Sequence, residues 1–368
     1  MDFSFTDEQR QLGDSLEKFL SKEYGFEARK AIVASDTGWS RKVWAQFAEM
    51  GLLGLAIAEE HGGLGTGPEE LIVSLTALGR HLVVEPYVPC AILAPRLIAE
   101  AGTAAQCEAL LPEIASGESL MTAALFEPGE RYSLAPVGTK ARREASGWVL
   151  DGVRAVVPFG AQADAIVVSA ACDGVPCLFL VRRGAAGLNL RDSRTLDGLH
   201  VADVELRSVA AERIGSGGSA EGAIAVATDV AIAAVCNAAV GAMEGLNAQT
   251  LEYIKTRQQF GQPIGRFQAL QHRAVDMFIH CEQSKSIAWL AMVKAMAGAH
   301  AERSRTVAAA KVHIGRSARA VSQSGVQLHG GIGVTNELAA AHYAKHLTLL
   351  DFTLGDVEHH LDRFIASA

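Results

Sequence analysis

Asp351 is a carboxylate set among the leucines of "HLTLLDFTLGD", residues 346–356, a run that ends on Asp356. A carboxylate set among apolar side chains is a candidate general base. The same residue at a helix or loop boundary would instead bond to nearby backbone groups. A second stretch, "KTRQQFGQPIGRFQALQH" at 255–272, interrupts two helical patterns with Gly261, Pro263 and Gly265. It also carries Arg257, Phe260, Phe267 and several glutamines. Arginine pairs with a pyrophosphate and phenylalanine stacks on a flat ring, so this loop suits a planar, anionic ligand.

Two glycine-rich runs, "HGGLGTG" at 61–67 and "LHGGIGV" at 328–334, each follow a helical pattern rather than a strand. Neither is GxGxxG, and no GxxxxGK[ST] occurs, which disfavours Rossmann and P-loop sites. By themselves both read as helix C-caps, where glycine adopts positive φ freely. His342 and His346 are four apart, as are Asp356 and His360. No HExxH or third ligand accompanies them, so no metal site is expected.

The elements that must position these groups fall into three blocks: helices over 1–118, strands over 119–214 and helices again over 215–368. "TDEQ" at 6–9 is a capping box opening a helix with Leu12, Leu16, Phe19 and Leu20 on one face. Ser40 opens a helix carrying Val43, Trp44, Phe47 and Met50, and Pro68 starts another. From about 119 the period becomes two. "GWVLDGVRAVV" at 147–157 predicts a hairpin turning at Asp151-Gly152, and "AIVVSAACDGVPCLFLVRR" predicts one with a looser turn. "VADVELRSV" at 201–209 adds a strand, so a small barrel or sandwich of roughly 95 residues is expected. "GSGGSAEG" at 215–222 reads as a flexible hinge. Helical periods then occupy 222–255, 266–298, 302–328, about 336–349 and 356–366, a four- or five-helix bundle. The fold class is α+β multidomain.

The 368 residues carry a formal net charge of −8 without a basic block, so neither nucleic acid nor an anionic membrane is an expected partner. The start "MDFSFTDEQRQ" has no signal- or transit-peptide pattern. The apolar stretch 223–243 contains Asp229 and Asn237. A mid-membrane Asp costs about 2.5–3.5 kcal/mol, so a buried bundle helix is the reading. The six cysteines form no CxxC pair and read as reduced thiols of a cytoplasmic protein.

Over essentially its full length the chain resembles the acyl-CoA dehydrogenase family. The resemblance rests on the α–β–α order, "EEHGGLGTG" at 59–67, "TRQQFGQPIGRFQALQ" at 256–271 and "QLHGGIGVTNE" at 327–337. The start "DFSFTDEQ" and the ending "LTLLDFTLGDVEHHL" look most like the small subunit of the bacterial pimeloyl-CoA dehydrogenase type; related short chains occur in steroid-degrading heteromeric enzymes. The resemblance implies FAD as cofactor and α,β-desaturation of an acyl-CoA thioester, in fatty acid or steroid side-chain degradation. A carboxylate removes the α-proton while flavin N5 accepts the β-hydride. Donors to the thioester carbonyl stabilise enolate character. An electron-transfer flavoprotein or similar acceptor and a homo- or hetero-oligomer, usually a tetramer, are implied as partners.

Residue by residue, the resemblance implies that Arg257 and Phe260 fall on the flavin-contacting RxxFG pattern. Gln268 falls on the glutamine of the next helix start. Gln327, Gly330 and Gly331 fall on the QxxGG turn beside the dinucleotide, serving FAD held mainly by a neighbouring subunit. The β-domain departs from the pattern. "FEPGERYS" at 126–133 puts Phe126 where a Thr or Ser is expected. "VVPF" at 156–159 puts Val156 in place of a tryptophan and Pro158 in place of a hydroxyl residue. Ile232 stands where an arginine is usual. Asp351 falls on the position of the catalytic Glu, with Thr353 keeping its place. It is one methylene short, and displacement by about 1 Å can lower a rate roughly a hundredfold. An alternative base position falls on Ala231, with Asp229 nearby.

Three readings follow. The chain is the catalytically weakened subunit of a heteromeric acyl-CoA dehydrogenase sharing FAD with a partner. Alternatively it is a self-sufficient homo-oligomer using Asp351. Or it is a structural subunit without turnover.

Overall fold

The computed structural model describes residues 5–145, 147–297 and 299–367; the first four residues of the acidic start lie outside them. Helix α1 (Asp7–Glu23) begins at the expected capping box, with the Thr6 hydroxyl accepting from Gln9 N and the Gln9 side chain accepting from Thr6 N. A short helix α2 (Phe26–Ala34), without a strong apolar period in its sequence, precedes α3 (Arg41–Glu49), which Ser40 caps and which buries Val43, Trp44 and Phe47. α4 (Pro68–Arg80) starts at its proline. α5 (Ala94–Ala101) and α6 (Ala104–Ala115) follow, the second opened by another capping box, Thr103 with Gln106.

Seven strands come next: β1 (Met121–Ala124), β2 (Lys140–Glu144), β3 (Gly147–Pro158), β4 (Ala165–Cys172), β5 (Val175–Arg182), β6 (Leu188–Arg194) and β7 (His200–Ile214). The order β4-β2-β3-β7-β5 closes because β4 also pairs with β5, leaving β1 beside β4 and β6 beside β7. Closure removes sheet edges and encloses Leu150, Val168, Phe179, Val204 and Val209. The hairpin expected at Asp151-Gly152 does not form. β3 is one continuous strand, with a register shift between Leu150 and Gly152. Gly152 takes φ +148°, and a Cβ there would come within 2.5 Å of Thr139 Cα. The Asp-Gly pair therefore makes a bulge that lets β2 and β3 approach. The tight turn is instead Asp173-Gly174, at φ +52° and +85°, between β4 and β5.

The segment 215–222 is held rather than loose. Gly215 N donates to Gln106 Oε1 at 2.8 Å, and Ala220 N donates to Pro176 O at 2.7 Å.

The remaining helices are α7 (Glu221–Thr256), α8 (Gln268–Ala297), α9 (His300–His329), α10 (Ala339–Phe352) and α11 (Val357–Ala366), with the small hairpin β8 (Gln258–Gln259) and β9 (Gln262–Pro263) between α7 and α8. α7 is long and apolar enough to cross a membrane, yet 78% of its most apolar stretch is buried inside the protein. Its small residues serve close packing: a Cβ on Gly241 would strike Thr76 O, and one on Gly79 would strike Ala238 O. Backbone contacts divide the chain into two compact units. One comprises the segment up to Ala31, Pro68–Val83 and the chain from Ile232 onward; the other comprises Ile32–Gly67 and Val84–Ala231. Residues of the first helical block contribute to both.

Candidate functional site

Arg257 follows the last residue of α7, where its carbonyl accepts from Ile264 N at 2.8 Å and closes the base of the hairpin. The hairpin turns at Phe260 and Gly261, with φ +55° and +78°. Phe260 is 90% exposed, an apolar ring on a strained backbone, with Phe267 edge-on to it at 5.9 Å between centroids. Strain of this kind gathers at binding sites. Gln271 Nε2 donates to Gly265 O and fixes the loop. Gln268 is the exposed first residue of α8.

At the end of α9, Gln327 is exposed and its carbonyl accepts from Gly330 N. Gly330 has φ +65°, and open space surrounds both it and Gly331. The Tyr253 ring, one turn before Arg257, lies 4.5 Å from the ring of His329. That contact joins the C-terminal ends of α7 and α9. Arg257, Phe260, Gln268, Gln327, Gly330 and Gly331 therefore share one end of the bundle.

Asp351 is elsewhere. It lies in the last turn of α10 with its side chain turned onto α9: Oδ2 accepts from Arg319 Nη2 at 3.1 Å. Oδ1 is buried without a hydrogen-bond partner among the described residues and sits against Gly315, where a Cβ would collide with it. Lys311, buried, donates from Nζ to the carbonyls of Leu350 at 2.8 Å and Asp351 at 2.7 Å. These are orphan carbonyls at a helix end, which a cation satisfies. Burial holds the Lys311 ammonium below the usual lysine range, against the opposing charges of Cys236, Asp351 and Asp356. Along α9, Arg319 and Gly315 are 8 and 12 residues from Gln327, about 12–18 Å at 1.5 Å per residue. Thr353 caps α10, and its hydroxyl donates to Leu349 O at 2.9 Å. The sequence reading singled out none of Lys311, Gly315 and Arg319, although their i, i+4, i+8 spacing places them on one helix face.

In the barrel unit, Phe126 packs edge-on to Tyr132 at 6.2 Å. Val156 is 60% exposed at φ +53°, an unusual conformation for a β-branched residue. Its N–H donates to Asp203 Oδ1 at 3.4 Å, and Pro158 O accepts from Thr122 Oγ1 at 2.7 Å. Asp229, Ala231 and Ile232 are buried. Among the described residues no group of three or more His, Cys, Asp and Glu is placed to hold a metal ion.

Residues 6–118 match the acyl-CoA dehydrogenase N-terminal domain, and residues 208–368 match the acyl-CoA dehydrogenase C-terminal domain. A solved structure of a variant of the Tcur3481-Tcur3483 steroid ACAD is 32% identical, covering 98% of this chain and 97% of that one, with a TM-score of 0.89. The chain belongs to the acyl-CoA dehydrogenase family. FadE27, an acyl-CoA dehydrogenase of Mycobacterium tuberculosis, is 28% identical over 99% of this chain and 97% of its own. The ChsE4-ChsE5 complex from the same organism contains a chain 26% identical with a TM-score of 0.89, covering 100% of this chain and 98% of that one.

Acyl-CoA dehydrogenases are FAD-dependent oxidoreductases acting on CH–CH bonds. The bundle end fits part of that cofactor. Arg257 has no ion-pair partner among the described residues, the Phe260 ring is open to a ligand, and a side chain at Gly330 or Gly331 would fill space now clear. The barrel positions fit less well, since Val156 presents only methyl groups and Pro158 has no N–H to donate.

Proposed function

We propose that this protein is a cytoplasmic bacterial subunit of a heteromeric acyl-CoA dehydrogenase, sharing FAD with a partner chain that brings the catalytic base. The observation that carries this reading is the contrast between two sets of residues. Arg257, Phe260, Gln268, Gln327, Gly330 and Gly331 stand exposed at the bundle end, whereas the Asp351 carboxylate is turned inward onto Arg319. FAD, when bound, accepts the β-hydride of the thioester. This chain's part is to hold the dinucleotide: Arg257 meets its phosphates, Phe260 covers an aromatic ring, and the Gly330–Gly331 turn admits close backbone approach. Asp351 serves to tie the end of α10 to α9, and Thr353 caps α10. The heteromeric naming of the Tcur3481-Tcur3483 and ChsE4-ChsE5 structures supports the subunit role. An electron-transfer flavoprotein or similar carrier would reoxidise the cofactor.

Expression alone and with a neighbouring family chain tests the reading. A colourless lone protein that becomes yellow and active with its partner is the expected result. A yellow lone protein with full turnover overturns it.

A further inference from the structure

Helix α8 buries Met277, Cys281, Ser284 and Ala288 against the bundle. A surface helix with one buried face is ordinarily polar on the other. This one is not. Val275, Phe278, Ile279 and Leu290 stay between 37% and 57% exposed, more large exposed apolar side chains than any other described element carries. Val275, Ile279, Ser286 and Leu290 follow one another at steps of four, seven and four, and the exposed Glu282 and Gln283 fill the gap. At about 100° per residue these six share one face about 100° wide, opposite the buried one, with Phe278 at its flank. Apolar surface gathered in this way marks a place where another chain docks.

The spacing of the stripe says which chain. Around a point midway between Glu282 and Gln283 the pattern is its own reverse: Val275 mirrors Leu290, and Ile279 mirrors Ser286. A two-fold contact requires that reversal, since residue i meets j while j meets i. The polar centre is complementary as well. Glu282 Oε1 accepts from Lys285 Nζ at 2.7 Å, while its second oxygen and the Gln283 amide have no partner among the described residues. Across a two-fold axis each Gln283 amide donates to the Glu282 carboxylate of the other copy, so both groups are matched twice. A lipid surface offers that carboxylate no such donor, and an unrelated chain does not need the reversal.

We propose that two copies of this chain dock through antiparallel α8 helices, with the two-fold axis between Glu282 and Gln283. Val275 of each copy then covers Leu290 of the other, Ile279 covers Ser286, and Phe278 widens the contact. Apart from Gln268 at its start, α8 carries none of the residues assigned to FAD, so the contact goes beyond the flavin reading.

Sedimentation equilibrium of the full chain reads the copy number, and two chains per particle are expected at micromolar concentration. Ile279→Glu puts an unpaired carboxylate from each copy into the apolar stripe and should weaken the dimer about a hundredfold. Its circular dichroism stays unchanged, because the side chain is exposed in one chain. Cysteine variants read the register. Along the paired helices Gln283 and its copy are about 1.5 Å apart, whereas Leu290 and its copy are about 22 Å apart. Under copper–phenanthroline oxidation in air, Gln283→Cys should therefore cross-link into a disulfide dimer and Leu290→Cys should not. The six native cysteines are buried and leave that background low. The readout is assembly of the lone chain and not its colour, so failure of flavin sharing leaves the result readable. A monomer at micromolar concentration, a dimer indifferent to Ile279→Glu, equal cross-linking at 283 and 290, or cross-linking of Gln283→Cys only to a co-expressed family chain each overturns the proposal.

Discussion

Asp351 Oδ2 and Arg319 Nη2 lie 3.1 Å apart, in an ion pair whose carboxylate is 6% exposed and whose guanidinium is 63% exposed. A general base must reach the proton it removes. Here one carboxylate oxygen already accepts from an arginine and the other faces the Cα of Gly315. The geometry ties α10 to α9.

Asp351→Asn should therefore leave kcat of the co-expressed complex within about threefold, while removal of a working base costs about a hundredfold or more. Stability falls by about 1 kcal/mol, the upper range for a partly exposed pair. Gly315→Ala should be more damaging to stability than the Asn variant, because its methyl strikes both Asp351 Oδ1 and Val357 Cγ2. Denaturant midpoints of the two variants decide the order. A collapse of turnover in Asp351→Asn with an intact fold would assign the base to this chain.

Arg257→Gln separates ligand contact from folding. The side chain is exposed, so the denaturant midpoint should shift by no more than about 0.5 kcal/mol. Flavin absorbance recovered with the purified complex should fall severalfold, since the guanidinium proposed to meet the cofactor's phosphates is lost. Full flavin content in the variant would remove Arg257 from the cofactor site.

Where the sequence was legible, local chemistry set the structure. Thr6 with Gln9 and Ser40 mark helix starts because the cap satisfies an orphan amide within a few residues, and Pro68 marks one because its fixed φ suits a first turn. The five bundle helices lie close to their periodic segments because apolar residues at helical spacing bury one face of each; α9 and α10 open without a side-chain cap, and α11 opens on Asp356. Asp151-Gly152 misled because a dipeptide does not reveal that β3 must continue to pair with β7; the barrel's closure chose bulge over turn. The exposed end at Arg257 and Phe260 was visible as residues ill-suited to a plain turn. Arg319 as the partner of Asp351 was not, since 32 residues separate them and only packing of α10 on α9 joins them.

His360 gives the fold a pH dependence. It is fully buried, Nε2 donates to Leu354 O at 3.0 Å, and Nδ1 has no hydrogen-bond partner among the described residues. Burial, followed by the Lys311 charge, pushes its pKa down to about 3 from 6.5. The unfolded chain therefore binds the proton first as pH falls. This stability is complete above about 6.5 and is lost progressively toward 3, by about 4–5 kcal/mol in the limit. In urea melts between pH 7 and 4.5, His360→Gln should show a shallower loss than the unaltered protein. Parallel pH curves would remove His360 as the source.

Glu127 and Arg154 anchor the mouth of the barrel. Burial raises the Glu127 pKa, but the N–H groups of Gly138, Thr139 and Val137 outweigh it and hold the carboxylate below its usual range. Its oxygens accept from Val137 N at 3.0 Å, Gly138 N at 2.8 Å and Thr139 N at 2.7 Å, and one stands 3.4 Å from Arg154 Nη2. Arg154 is fully buried, pushed down to about 10 by burial while Glu127 opposes that change, and it donates to the carbonyls of Leu125 and Ser169. Glu127→Gln leaves that guanidinium buried without its counter-charge and should cost about 3–5 kcal/mol. Arg154→Met removes the stranded charge, so the double variant should be more stable than Glu127→Gln alone. A double variant that loses the simple sum of the two single losses would show that the charges do not interact across the barrel mouth.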